Sequence, residues 1–93
     1  MTNETIRDLI RKENPQGSAA MIEMYVHQFA TYIEAEENIQ QNGVIVSHPR
    51  TGQPIENPYL KIRTTAQQSM QKTRMLKVNK LWETAIATKA FGK

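Results

Sequence analysis

Asn42-Gly43-Val44-Ile45-Val46-Ser47-His48-Pro49-Arg50-Thr51-Gly52-Gln53-Pro54-Ile55-Glu56-Asn57-Pro58-Tyr59 decides the fold, because the hydrophobic period changes on either side of it. Val44-Ile45-Val46 is β-branched throughout, and Pro49-Arg50-Thr51-Gly52 has turn chemistry. Gln53-Pro54-Ile55-Glu56 can return alongside, which predicts a small β-hairpin. Two strands alone are marginal in water, so this hairpin must lean on helices or on another subunit. Asn42-Gly43 closes whatever helix precedes it with a left-handed C-cap. Asn57-Pro58 opens the next: Asn caps free N–H groups, and Pro supplies the right φ at the first helical position with no N–H to leave unpaired.

Upstream, Ala19 to Gln41 contains no Gly or Pro. Met21, Tyr25, Phe29, Tyr32 and Ile39 recur at helical spacing, with Met24 and Ile33 widening the stripe. Before it, Ile6, Leu9 and Ile10 predict a short amphipathic helix over 2–13, ended by Asn14-Pro15-Gln16-Gly17, with Ser18 as the next N-cap. Downstream, Tyr59 to Phe91 again lacks Gly and Pro. A continuous helix there would span about 50 Å, whereas a compact chain of this length is roughly 30 Å across. The helix therefore outruns its domain or breaks near Thr73. Its pattern also changes phase: Tyr59, Ile62, Ala66, Met70 and Thr73 share one stripe, and Met75, Val78, Trp82, Ala85 and Ile86 follow another. The first stripe is expected against the 19–41 helix. The second belongs either to contacts between chains or to a short terminal helix packed back.

The expected fold class is thus mainly α: an antiparallel hairpin of long helices with a short β-hairpin inserted between them, plus a short N-terminal helix. Its 93 residues form one domain, divided as 1–17, 18–43, 44–57 and 58–93. Hydrophobic residues are 39%, charged residues 23% and mean hydropathy is −0.60, which fits a globular chain with polar edges. Nothing approaches the 18 or so consecutive apolar residues of a membrane span, and Met1-Thr2-Asn3-Glu4-Thr5 has no secretory character. The absence of Cys excludes a disulfide framework, a thiolate zinc site and a Cys nucleophile, and fits a reducing compartment.

The net charge of +3 conceals a gradient. Residues 1–46 carry three bases against seven acids, while residues 47–93 carry nine bases against two. A basic half of this kind meets nucleic acid or the acidic half of a neighbouring copy. The candidate DNA contacts are Lys61, Arg63, Lys72, Arg74, Lys77 and Lys80. Lys61 to Lys72 and Arg63 to Arg74 are eleven residues apart, about three helical turns, so each pair returns to one angular position. Such rows suit phosphate contact, which positions a duplex without reading it; a solvated basic face is the alternative. Arg7, Arg11 and Lys12 are minor candidates, because the first two helices match a helix-turn-helix only loosely and the second carries mostly acids. Met75, Val78, Trp82 and Ile86 are the candidate interface between subunits, with Trp82 the residue least expected in water.

Catalytic chemistry is poorly represented. No G-x-x-x-x-G-K-[ST] phosphate loop exists. Glu34, Glu36 and Glu37 do not converge as paired carboxylates must, since Glu36 alone faces the apolar stripe. His27 and His48 lack a third ligand for a metal. Tyr25, Phe29, Tyr32 and Trp82 could be read as stacking platforms for single-stranded bases, but aromatics at helical spacing are more often core.

The stretch Val44 to Met70, V-I-V-S-H-P-R-T-G-Q-P-I-E-N-P-Y-L-K-I-R-T-T-A-Q-Q-S-M, resembles phage terminase small subunits, and Tyr25 to Gly43 resembles the aromatic and acidic helix that precedes the hairpin in that family. Where the family continues with a Gly-Leu-Thr-Pro turn and an Arg, this chain runs Thr73-Arg74-Met75-Leu76-Lys77-Val78. The resemblance implies a non-enzymatic subunit without cofactor or metal, working in the cytoplasm of an infected bacterium. It implies a homo-oligomeric ring that recognises double-stranded viral DNA and presents it to the terminase large subunit, the ATPase and nuclease. A different class, a small dimeric DNA-binding regulator of antitoxin type, fits the same charge pattern with the basic helix on DNA and the aromatic helix as dimer seam.

Overall fold

The computed structural model describes residues 1–73 and 75–89, in the order α1 (Asn3–Glu13), α2 (Ala19–Asn42), β1 (Ile45–Ser47), β2 (Pro54–Glu56), α3 (Tyr59–Lys72) and α4 (Asn79–Ala87). The fold is mainly helical, with the antiparallel β-hairpin between α2 and α3 and the short α1 in front, as the change of period predicts.

α1 begins where the Thr2 hydroxyl accepts the Thr5 N–H, and it sinks Ile6 and Ile10 completely. Asn14-Pro15-Gln16-Gly17 turns the chain, and the Ser18 hydroxyl caps α2 at the Met21 N–H. α2 buries Ile22, Tyr25, Val26, Phe29, Ile33, Ala35 and Ile39. Met24, assigned to the stripe from sequence, instead points outward and is 64% exposed; Ile22 and Val26 take the inward positions because α1 and α4 bracket that side of the helix. α2 ends at Gly43, whose N–H reaches the Ile39 carbonyl at 2.7 Å with φ +84° and ψ 179°, a region open only to glycine.

In the hairpin Ile45 faces Glu56, Val46 faces Ile55 and Ser47 faces Pro54. Val46 and Ile55 are half-buried, while Val44 and Ile45 lie in solvent. Asn57 fastens this sheet to the helices. Its side chain is 2% exposed, donates to Gly43 O (2.8 Å) and Asn38 Oδ1 (3.0 Å), and accepts the Tyr59 N–H (3.0 Å). One amide therefore joins the end of α2, the base of the hairpin and the start of α3.

α3 packs along α2 and buries Ala66 and Met70. It stops at Lys72, although no Gly or Pro requires it to. The cause lies 63 residues upstream: Asn14 Nδ2 donates to Lys77 O (2.7 Å) and Asn14 Oδ1 accepts the Lys77 N–H (2.8 Å). In a continuous helix those two groups would bond to Thr73 O and the Leu81 N–H. Leu76 is buried in the resulting loop. α4 then folds back, with Leu81 and Ala85 fully buried. It has no capping side chain of its own, and the Glu13 carboxylate accepts the Lys80 N–H in that role. The second stripe thus belongs to a short terminal helix packed back and is corrected in part: Val78, Trp82 and Ala85 pack inward together with Leu76 and Leu81, while Met75 and Ile86 stay outside.

The molecule measures 51 × 24 × 17 Å with a radius of gyration of 15.0 Å, against about 12 Å for a compact chain of this length. α1, α4 and the first half of α2 make the dense end of the rod. The hairpin forms the thin end.

Candidate nucleic-acid and subunit interface

The described bases among the six singled out from sequence lie on different parts of the fold. Lys61 is exposed in the first turn of α3, beside Glu56 and Thr65. Arg63 turns toward α2 and its Nη1 donates to Glu36 Oε1 at 2.8 Å, so this guanidinium is committed within the chain. Lys72 is exposed at the end of α3, and Lys77 and Lys80 are exposed on the linker and the first turn of α4. Arg74 lies outside the described residues. Of the two rows expected at eleven-residue spacing, Lys61 and Lys72 stand exposed on the one helix α3, whereas Arg63 turns inward to Glu36 and so leaves its row.

Of the proposed subunit interface, Met75 is 85% and Ile86 66% exposed. Val78 and Trp82 instead pack on the chain's own core. The indole stands edge-on to Phe29 (centroids 4.8 Å, planes at 80°) and to Tyr32 (5.7 Å, 74°), and its Nε1–H donates to the Tyr25 hydroxyl at 2.9 Å. Its shielding is thus largely internal, supplied by α4 folding back rather than by a second copy. With Tyr25 and Phe29 buried and the indole edge-on to Phe29 and Tyr32, these rings leave no open platform of successive faces for bases. Burial pushes the Tyr25 phenol up, opposed by the Trp82 hydrogen bond. The Tyr32 phenol rises by burial first and by the nearby Glu36 carboxylate second.

The acids show no convergence. Glu34 and Glu37 point to solvent, and among the described residues no group of three His, Asp or Glu side chains is placed to hold a metal. His27 is exposed, while His48 Nδ1 accepts the Arg50 and Thr51 N–H groups and so organises the hairpin turn. Arg7 grips Glu23 through two nitrogens, which holds the Glu23 carboxyl below its ordinary range, chiefly by that hydrogen bond. No described helix is long and apolar enough to cross a membrane.

Sequence reasoning passed over the link between the two ends of the chain, made by Glu13 and Asn14. Nothing in the local pattern marks them, because their partners are backbone groups 63 and 67 positions away.

The fold defines a class: a small helical-hairpin scaffold whose outward chemistry is charge and exposed apolar side chains. The chain belongs to the family described as "Phage terminase, small subunit", which matches residues 3–76, and with it goes a role in phage DNA packaging. α4 lies beyond the matched range. No curated protein and no solved structure matches the chain.

Proposed function

We propose that this chain is the non-enzymatic, DNA-recognising adaptor of a phage packaging terminase. It assembles as a homo-oligomeric ring in the cytoplasm of the infected host and delivers viral double-stranded DNA to the large ATPase/nuclease subunit. The family match carries this reading. The elongated shape supports it, since a rod 51 Å long and 17 Å thick leaves much of its flank for neighbours. So do Met75 and Ile86, large apolar side chains in water on an otherwise well-packed end. Head-to-tail contacts of one flank with another close into rings when the rotation allows. The exposed bases Lys61, Lys72, Lys77 and Lys80 leave positive charge available to a duplex, which also supports the reading.

Light scattering on the eluting protein, followed by negative-stain imaging, tests the assembly. A ring of several copies is expected. A dimer would favour the small DNA-binding regulator, and a lone monomer at micromolar concentration would end the ring proposal. Retention of the chain by an immobilised large subunit tests delivery.

A further inference from the structure

The charge gradient along the sequence is not the charge distribution of the folded molecule. Arg63, from the basic half, is neutralised by Glu36 of the acidic half. Conversely, Arg11 and Lys12, from the acidic half, occupy the last turn of α1, next to the two residues that clasp the linker. Asn14 pairs with the Lys77 backbone in both directions, and Glu13 takes the Lys80 N–H. These bonds bring Arg11 and Lys12 to the same end of the rod as Lys77 and Lys80. All four are exposed, and among the described residues none of the four heads makes an ion pair.

Two of the acids around this end are engaged elsewhere. Glu13 is turned onto the α4 N-terminus and Glu23 is held by Arg7 while also feeling Arg11; Asp8, one turn before Arg11 and Lys12, and Glu83, one turn after Lys80, are exposed neighbours that offset part of the positive charge. Glu34, Glu36 and Glu37 sit in the half of α2 that leads to the hairpin. Positive charge is thus gathered at the dense end by tertiary contacts.

Resting on the adaptor reading above, we infer that the main DNA contact of this chain is a phosphate-binding patch made of Arg11, Lys12, Lys77 and Lys80, at the junction of α1 with the α3–α4 linker, and not a row along α3. Bases drawn from two segments and fixed by a backbone clasp present several charges to one phosphate stretch at little ordering cost. Lys61, on the first turn of α3 beside the hairpin, contributes little. The partner is the duplex backbone, which the patch positions without reading sequence.

The test uses the full chain and a 30-base-pair duplex, measuring affinity by fluorescence anisotropy from 50 to 200 mM salt. Three double variants each remove two charges: Arg11→Gln/Lys12→Gln, Lys77→Gln/Lys80→Gln and Lys61→Gln/Lys72→Gln. Either of the first two is expected to weaken binding about tenfold and to lower the salt slope by about 2, since each lost phosphate contact removes about 0.9. The third is expected to weaken binding no more than about threefold. Circular dichroism and Trp82 emission confirm that each variant is folded. An equal or larger loss in the α3 variant overturns the patch while leaving the adaptor reading standing. Absence of duplex binding by the parent protein at 50 mM salt overturns both. In that event a change of oligomer mass in the Arg11→Gln/Lys12→Gln variant would assign the patch to the acidic face of a neighbouring copy.

Discussion

Asn57 shows how much one polar residue can carry in a chain this small. Its amide donates twice and accepts once while almost fully buried, so truncation removes a helix cap and strands the Gly43 carbonyl. Asn57→Ala should cost about 2 to 3 kcal/mol, read as a lower urea midpoint with unchanged slope. Asn57→Asp keeps the capping oxygen but replaces both donors with acceptors facing Gly43 O and Asn38 Oδ1, so it should be no more stable than the alanine variant. If it retains parental stability, the cap alone matters. The Arg7–Glu23 pair offers a second test. The folded-state pKa of Glu23 is depressed by Arg7, so its contribution is present above the ordinary carboxylate range and fades as pH falls through the folded value. Glu23→Gln should leave less stability to lose between pH 5 and 3, flattening that limb of a urea-midpoint profile. Both partners are solvent-accessible, so the change is small.

At the scale of elements, the clasp of Glu13 and Asn14 on the linker is what makes α4 a separate helix. Asn14→Ala should free the Lys77 backbone and weaken the docking of α4 by about 2 kcal/mol. The single tryptophan sits on α4, so its emission should shift red at lower urea than the helical circular dichroism signal falls. Coincident transitions would mean that α4 and the hairpin of helices unfold as one unit. This contact also marks where the sequence stopped being legible. The helix starts at Thr2, Ser18 and Asn57, the end at Gly43 and the hairpin were all readable, because each is decided by residues within a turn of one another. The α2–α3 pairing was readable from apolar period. A break near Thr73 was readable from helix length and the change of apolar phase, but its cause was not, since Thr73 to Val78 contains no breaker and the competing hydrogen bonds come from Asn14. The same non-local clasp hid the gathering of Arg11 and Lys12 with Lys77 and Lys80, and the Glu36 partner removed Arg63 from the candidate contacts. Met24 went astray for a milder reason: a wide apolar stripe does not say which of its edges neighbours will cover.

For the whole molecule, the proposed assembly would draw on a face of α4 and its linker other than the one that folding uses. Leu81, Ala85 and the edge-packed Trp82 point into the subunit, whereas Met75 and Ile86 point away from it. Trp82→Ala empties a space against Phe29 and Tyr32 and should destabilise each subunit by about 3 kcal/mol, with any loss of assembly following from that. Met75→Asp/Ile86→Asp should do the reverse. It removes no buried contact, so the urea midpoint at dilutions where the parent is already dissociated should stay within about 0.5 kcal/mol of the parent. Comparison at such dilution is needed because association stabilises any folded subunit by mass action. At higher concentration the double variant should elute with a smaller mass by light scattering, since two carboxylates placed in an apolar contact cost far more than they do in water. If its mass matches the parent, Met75 and Ile86 are merely exposed, and the proposed ring would have to close through another apolar surface, of which Met24 on α2 and the pair Val44 and Ile45 at the hairpin are the most exposed.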